Sequence, residues 1–500
     1  MQQLSGQDAA FVYFETQNVP MHIGSLAIYD QSTAPGGRVG FKDILAYFSA
    51  RMHKSRCFRQ RLATVPLGLD HPYWVEDQDF DIEFHIRHIA LPHPGDWRQL
   101  CIQAARLHAR PLDITRPLWE FYIIEGLDRI DGIPPGSFAL LSKFHHAAID
   151  GVSGAEIAAA MHDLAPEAPH EGEPSPWQPE RAPGQVELLA RSGLSAARLP
   201  LHLARLTGAV TPALMKVGKR ALTGGGRPHL TAPRTRFNTN VSPHRVFDGR
   251  SFKLADIKEI RAAVPGATVN DAVVAIIGGA MRAYLVDKGE LPEESLVAMA
   301  PVSARQPAEA KAAGNRVSAM RLPIGSHIGD PLKRLEFVRQ QSLGAKEMVA
   351  DFGLNLGNEA AELLPSTLSG LAARVWARSH LADRVPPLFN TIITNVPGAG
   401  IPLYSMGSRL VANFGLGPIV HGCGLFQPVL SYDGTITLSA VSCREMMPDP
   451  AFYCECLEAS FEALQDAARA VAVVADGRAE EKPSGKPRRR NTARRRKAAG

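Results

Sequence analysis

Cysteine is scarce in this 500-residue chain. There are 6 (Cys57, Cys101, Cys423, Cys443, Cys454 and Cys456), and no two are spaced C-x-x-C. That argues against a disulfide framework and against a zinc finger. A run of about 18 or more uncharged apolar residues is also missing, so no transmembrane helix is expected. The first residues, Met1-Gln2-Gln3-Leu4-Ser5-Gly6-Gln7-Asp8, lack the basic-then-apolar pattern of a secretory leader. A reducing, cytoplasmic setting is the expectation. Several signatures are absent as well: no phosphate-cradling G-x-x-x-x-G-K-[ST], no dinucleotide G-x-G-x-x-G and no H-E-x-x-H. The nearest approach to a nucleophile elbow, Gly151-Val152-Ser153-Gly154-Ala155, fails at its last position.

Charge of one sign is lacking over most of the chain too. The formal net charge is +5, but residues 478–500 hold ten Lys/Arg against Glu480 and Glu481, a balance of +8 that leaves residues 1–477 at −3. The body is near neutral, so no specific nucleic-acid partner is expected. What is present is ordinary globular material, 45% hydrophobic and 21% charged. At about 150 residues per domain, two to three domains are expected.

Strand-like and helix-like stretches alternate twice. In the first part Ile23–Tyr29, Phe80–Ile89, Leu118–Ile124 and Phe138–Phe144 read as strands. Phe41–Met52, Trp97–Ala109 and Ser153–Leu164 read as helices. Six prolines between 165 and 184 mark a linker. Val186–Leu222 is apolar and basic, compatible with amphipathic helices lying on a surface or with helices packed on the protein. Alternation resumes with strand-like Val246–Leu254, Leu296–Pro301, Phe389–Thr394, Pro428–Tyr432 and Thr435–Val441. The last two form a hairpin through Asp433-Gly434. Helices are expected at Ala255–Val264, Thr268–Val286, Asp330–Met348, Ala360–Ala382 and Ala451–Val474. Residues 477–500, basic and without a hydrophobic pattern, are expected to be disordered. The simplest architecture is two α/β halves, 1–164 and 236–476, joined by a linker and basic helical segment at 165–235.

The most chemical stretch is Phe138–Gly151, an apolar strand ending in His145-His146-Ala147-Ala148-Ile149-Asp150-Gly151. Adjacent side chains on an extended segment point to opposite faces, so one imidazole can face a cavity while the other anchors in the scaffold. An imidazole titrates near working pH and suits general-base work. Gly151 permits a backbone conformation that other residues resist. A metal site on His146 and Asp150, or two histidines with no role, are the other readings of these residues.

HHAAIDG matches the H-H-x-x-x-D-G motif of the CoA-dependent acyltransferase superfamily. More specifically, the chain resembles the bacterial wax ester synthase/acyl-CoA:diacylglycerol acyltransferase family. Its Leu4-Ser5-x-x-Asp8-x-x-Phe11, Pro20-Met21-His22-x-Gly24 and Pro117-Leu118-Trp119 are similar to that family, as are Pro233-Arg234-Thr235-x-x-Asn238 and Thr268-Val269-Asn270-Asp271. Pro301-Val302-Ser303-x-Arg305, Gly314-Asn315 and Thr394-Asn395-Val396-Pro397-Gly398 complete the ordered series.

The resemblance implies two chloramphenicol-acetyltransferase-like (condensation-domain-like) α/β halves with a tunnel between them. It implies transfer of an acyl group from acyl-CoA, as co-substrate and without a cofactor or metal, to diacylglycerol or a fatty alcohol. His146 would be the general base, with His145 and Asp150 supporting it and no covalent acyl-enzyme. Asp150 is expected to pair with Arg305. Gly151, Asn270 and Asp271 would support the site, with Asn270 as oxyanion donor or channel residue; helix capping is the other reading of Asn270 and Asp271. Acceptor and product are insoluble, so work at the inner face of the cell membrane or at a lipid inclusion is expected. The basic segment and tail are the candidate anchors, a solvated charge run or adventitious binding to nucleic acid being the other reading of the tail. A condensation-type enzyme using a carrier-bound substrate and a non-catalytic granule-coating protein are the alternatives.

Overall fold

The computed structural model describes residues 1–149, 153–167, 177, 179–193, 231–303, 317–352, 375–376 and 381–480. Two six-stranded mixed sheets form its frame. In the first, the strands run Tyr404–Ser405, Ser408–Leu416, His22–Asp30, Phe138–His145, Trp119–Glu125 and Ile86–Ala90. In the second they run Val317–Pro323, Val297–Ser303, Thr391–Pro397, Leu425–Tyr432, Thr435–Cys443 and Arg245–Lys253. A small third sheet joins Gln2–Gln3, Tyr73–Glu76 and Gln60–Ala63.

Phe138–His145 is buried at every position, as a central strand covered on both faces must be. It pairs antiparallel with His22–Asp30 on one side and Trp119–Glu125 on the other. The second sheet is backed by the helix Val269–Asp287, which is apolar nearly all round and buried from Asp271 through Met281. By length and composition this helix could cross a membrane, yet most of its surface is buried inside the protein. Its Gly278 lies so close to the backbone of Ile324 that an added Cβ would sit 2.1 Å from that carbonyl oxygen.

The expected pair of α/β halves is what the fold shows. The chain nevertheless crosses between them. Ser408–Leu416 lies in the second half of the sequence but pairs with His22–Asp30, from Arg409 opposite Asp30 to Leu416 opposite Gly24. One hydrophobic core runs through both halves, from Leu26 and Leu100 to Phe247, Leu438 and Leu457.

Three expectations differ from what is observed. Phe80–Ile89 alternates like a strand, but the Asp81 side chain accepts the Glu83 N–H at 3.0 Å and starts a helical turn, Ile82–His85, before the strand Ile86–Ala90. Pro450–Glu480 is helical six residues beyond Val474, so helix enters the stretch expected to be disordered. Strands Ser408–Leu416 and Val317–Pro323 were not foreseen. The expected helix Ala360–Ala382 lies mostly outside the described residues, as do most of Val186–Leu222 and the tail beyond Glu480.

Candidate active site

The strand Phe138–His145 is pinned from both sides at its end. The His145 N–H donates to Leu118 O at 2.9 Å, and the His146 N–H donates to Met21 O at 2.8 Å. Gly24 makes the pairing possible, because a Cβ there would lie 2.1 Å from Ser142 O. The backbone then turns through a short helical segment, His146–Ala148. The two imidazoles part at this point. His145 is fully buried, and its Nδ1 accepts the Ala147 N–H at 3.1 Å. The ring proton therefore sits on Nε2, which lies 3.3 Å from Glu15 Oε2. That contact is within ion-pair range but lacks hydrogen-bond alignment. His146 is only half-buried.

The His146 ring stacks on Phe11, with centroids 3.9 Å apart and planes 14° from parallel. Burial pushes the imidazole down to about 4; its own backbone carbonyl opposes this in part, and neighbouring His145 adds a lesser lowering. The ring is thus neutral throughout the physiological range. Among the described residues its buried Nδ1 has no partner and its Nε2 makes no hydrogen bond. Phe11 reaches the ring from the helix Gly6–Phe14, whose start is fixed by Ser5: its Oγ accepts the Asp8 N–H at 3.1 Å and donates to Asp8 Oδ2 at 2.7 Å.

A buried polar layer underlies the strand. Lys143 Nζ, fully enclosed, donates to Arg110 O at 2.8 Å and to Glu120 Oε2 at 3.2 Å. His22 Nε2 donates to His108 O at 2.6 Å, and His108 Nε2 donates to Gly417 O at 3.1 Å. Desolvation pushes His108 down to about 3 and holds His22 well below its ordinary value.

Asp150, Gly151 and Arg305, and with them the expected Asp150–Arg305 pair, lie outside the described residues. Asp271 closes a capping box: its Oδ2 accepts from the Thr268 N–H and Oγ1, each at 2.8 Å. Asn270 Oδ1 accepts from Asn395 Nδ2 at 3.2 Å, which joins the helix start to the Thr394–Gly398 segment. Among the described residues no hydrogen bond joins either side chain to His146. In the Pro233–Asn238 segment the buried Asn238 is a tie. Asn238 donates to Phe389 O and Gly422 O and accepts from Asn390 Nδ2. Trp119 is core, its Nε1 donating to Phe58 O at 3.0 Å. Among the described residues no group of three or more His, Cys, Asp or Glu side chains could hold a metal ion.

Sequence reasoning passed over Glu15, His108 and Lys143, and gave Phe11 no role. The spacing Asp8-x-x-Phe11-x-x-x-Glu15 was the available signal, since residues three and four apart share a helix face.

The family model for the wax ester synthase/diacylglycerol acyltransferase catalytic domain matches residues 4–273, and that for the C-terminal domain of the same family matches 313–465. The chain belongs to the wax ester synthase/diacylglycerol acyltransferase family. A putative diacylglycerol O-acyltransferase of Mycobacterium tuberculosis is 35% identical over 453 residues, which cover 90% of this chain and 87% of that one. A similarly named protein of Mycobacterium bovis is 32% identical over 92% of this chain and 98% of its own. The solved wax ester synthase/diacylglycerol acyltransferase of Marinobacter aquaeolei VT8 superposes with a TM-score of 0.66 at 25% identity, covering 93% and 99% of the two chains. A trichothecene 15-O-acetyltransferase of Fusarium sporotrichioides shares the fold at 12% identity, with a TM-score of 0.55 and coverage of 93% and 94%. Membership makes this chain an acyltransferase.

Proposed function

We propose that this acyltransferase moves a long acyl group from acyl-CoA to the hydroxyl of diacylglycerol or a fatty alcohol, with His146 as general base. The carrying observation is the His146 ring: neutral at working pH, half-open and held flat against Phe11 at the end of the central strand. The reaction breaks the acceptor O–H bond, and its proton passes to the imidazole. The oxygen attacks the thioester carbonyl, the C–S bond breaks, and the CoA thiolate leaves and takes the proton. A positioned base of this kind contributes about 10²–10⁴-fold. A ring pushed down to about 4 is a weak base, so the negative charge that develops on the oxygen must help hold the imidazolium as it forms. An apolar passage between the halves would accommodate the acyl chain, with each buried CH₂ contributing about 0.8 kcal/mol.

Such substrates place the enzyme at a lipid surface inside the cell. The basic stretch Val186–Leu222 and the Arg-rich tail supply charge for anionic headgroups. The exposed Leu67 and Val186 supply apolar contact.

The test is incubation of the purified protein with labelled palmitoyl-CoA plus diacylglycerol or hexadecanol, followed by separation of neutral lipids. Labelled triacylglycerol or wax ester is expected, and His146→Ala should lower turnover at least about 10²-fold. Absence of ester with both acceptors, or an undiminished His146→Ala variant, would overturn the proposal.

A further inference from the structure

Two side chains touch the histidine pair without a part in the chemistry above. Phe11 covers one face of the His146 ring at 3.9 Å. Glu15 stands at the end of the same helix, where the chain turns extended (φ −66°, ψ 133°). Its carboxylate is divided between two neighbours. Oε1 accepts the Met21 N–H at 3.2 Å, and Met21 O in turn accepts the His146 N–H. Oε2 faces His145 Nε2 at 3.3 Å, and His145 Nδ1 in turn holds the Ala147 N–H. Glu15 therefore governs the backbone on both sides of His146, through Met21 before it and His145–Ala147 after it. The Glu15 side chain is only 12% exposed, so both contacts act with little screening by water.

We infer that Phe11 and Glu15 are positioning residues for His146. Phe11 fixes the plane of the imidazole and keeps water from one face, while Glu15 fixes the turn that carries it. The inference rests on His146 being the general base. A base must be held within a fraction of an ångström of its working geometry, and a displacement of about 1 Å can cost about 10²-fold in rate. A strand end followed by a three-residue turn lacks that rigidity by itself. The Ser5–Asp8 cap matters here because it fixes the helix that delivers both side chains.

The charged and titratable groups around the ring are few among the described residues. His145 acts on it directly, and Glu15 faces His145. Asp8 is engaged with Ser5, and Lys143 with Glu120.

The experiment compares Phe11→Leu, Phe11→Tyr, Glu15→Ala and Glu15→Gln with the unaltered enzyme and with His146→Ala. It measures kcat, KM for palmitoyl-CoA, the acid limb of the rate profile and the thermal transition at each pH. Phe11→Leu and Glu15→Ala are expected to lower kcat about ten- to a hundredfold, with KM little changed. Phe11→Leu hydrates the ring, so its acid limb moves up towards the ordinary imidazole value of about 6.5. Phe11→Tyr keeps the stack and is expected to retain most of kcat; Glu15→Gln keeps an acceptor for the Met21 N–H but sets an amide N–H against His145 Nε2–H, so it is expected to lose less than Glu15→Ala. Unchanged kcat and acid limb in Phe11→Leu and Glu15→Ala, with His146→Ala inactive, would overturn this inference alone. A loss of kcat that merely tracks a lowered thermal transition, with an unmoved limb, would also overturn it. Retained turnover in His146→Ala would overturn the general-base reading and this inference with it.

Discussion

Two adjacent imidazoles at one strand end meet opposite surroundings. His145 is closed in against Glu15, and His146 opens outward over Phe11. Alternation follows from the two-residue period of an extended backbone, so this much was legible in the letters His145-His146. The depth of the polar layer beneath was not legible, because His22 and Lys143 come from two paired strands and His108 from the end of the helix Trp97–His108, which only the fold brings together. That layer has a consequence for acid stability. His108 titrates near 3 when folded and near 6.5 when unfolded. Between those values the unfolded chain binds more protons, so stability is fully present above pH 6.5 and is lost as pH falls towards 3. His108 alone removes about 1.4 kcal/mol per pH unit in that window, and His22, held low by the same burial, acts in the same direction. Urea midpoints at pH 7.5, 6.5 and 5.5 are expected to fall progressively, with the steeper step below 6.5. A midpoint constant from pH 7.5 to 5.5 would contradict the assignment of His22 and His108 as buried and neutral.

Among the elements, the His22–Asp30 strand bears most on the candidate site, since it lies beside Phe138–His145 and hands Met21 to His146. Gly24 permits this approach. In Gly24→Ala the new methyl would meet Ser142 O at 2.1 Å, which is backbone and cannot swing aside. Overpacking of this kind costs about 1–3 kcal/mol. Because the strain falls two residues from His22, the expected outcome is a lower denaturation midpoint together with lost turnover. A variant with both unchanged would show that the two strands have room to part. The pattern Pro20-Met21-His22-x-Gly24 flagged this place without revealing its cause, which is a backbone contact across a sheet. Ser408–Leu416 was less legible still. Its pairing skips Val411, a bulge that breaks the period of two on which strand reading depends. By contrast, the hairpin through Asp433-Gly434 was plain, because both residues adopt positive φ (39° and 79°) and such a turn requires it.

For the whole molecule, the crossing of Ser408–Leu416 into the first sheet decides how the chain folds. Without it His22–Asp30 would be an open edge, with unpaired backbone groups next to a fully buried strand. Other ties join the halves in the same region. Trp97 Nε1 donates to Asp248 Oδ1 at 2.8 Å, and His108 Nε2 donates to Gly417 O at 3.1 Å. The shared core puts Leu100, Cys101 and Ala104 in one cluster with Phe247 and Phe414. Linear order therefore suggests two separable halves, whereas pairing makes each incomplete alone. Residues 1–164 expressed by themselves should aggregate or lack a sharp unfolding transition. Residues 236–480 by themselves should leave Ser408–Leu416 without its His22–Asp30 partner, paired only at its start with Tyr404–Ser405, and sensitive to protease, while the full chain unfolds as one calorimetric transition. The decisive measurement is the first fragment: a soluble 1–164 that melts cooperatively would mean that the borrowed strand adds nothing to the sheet carrying His146.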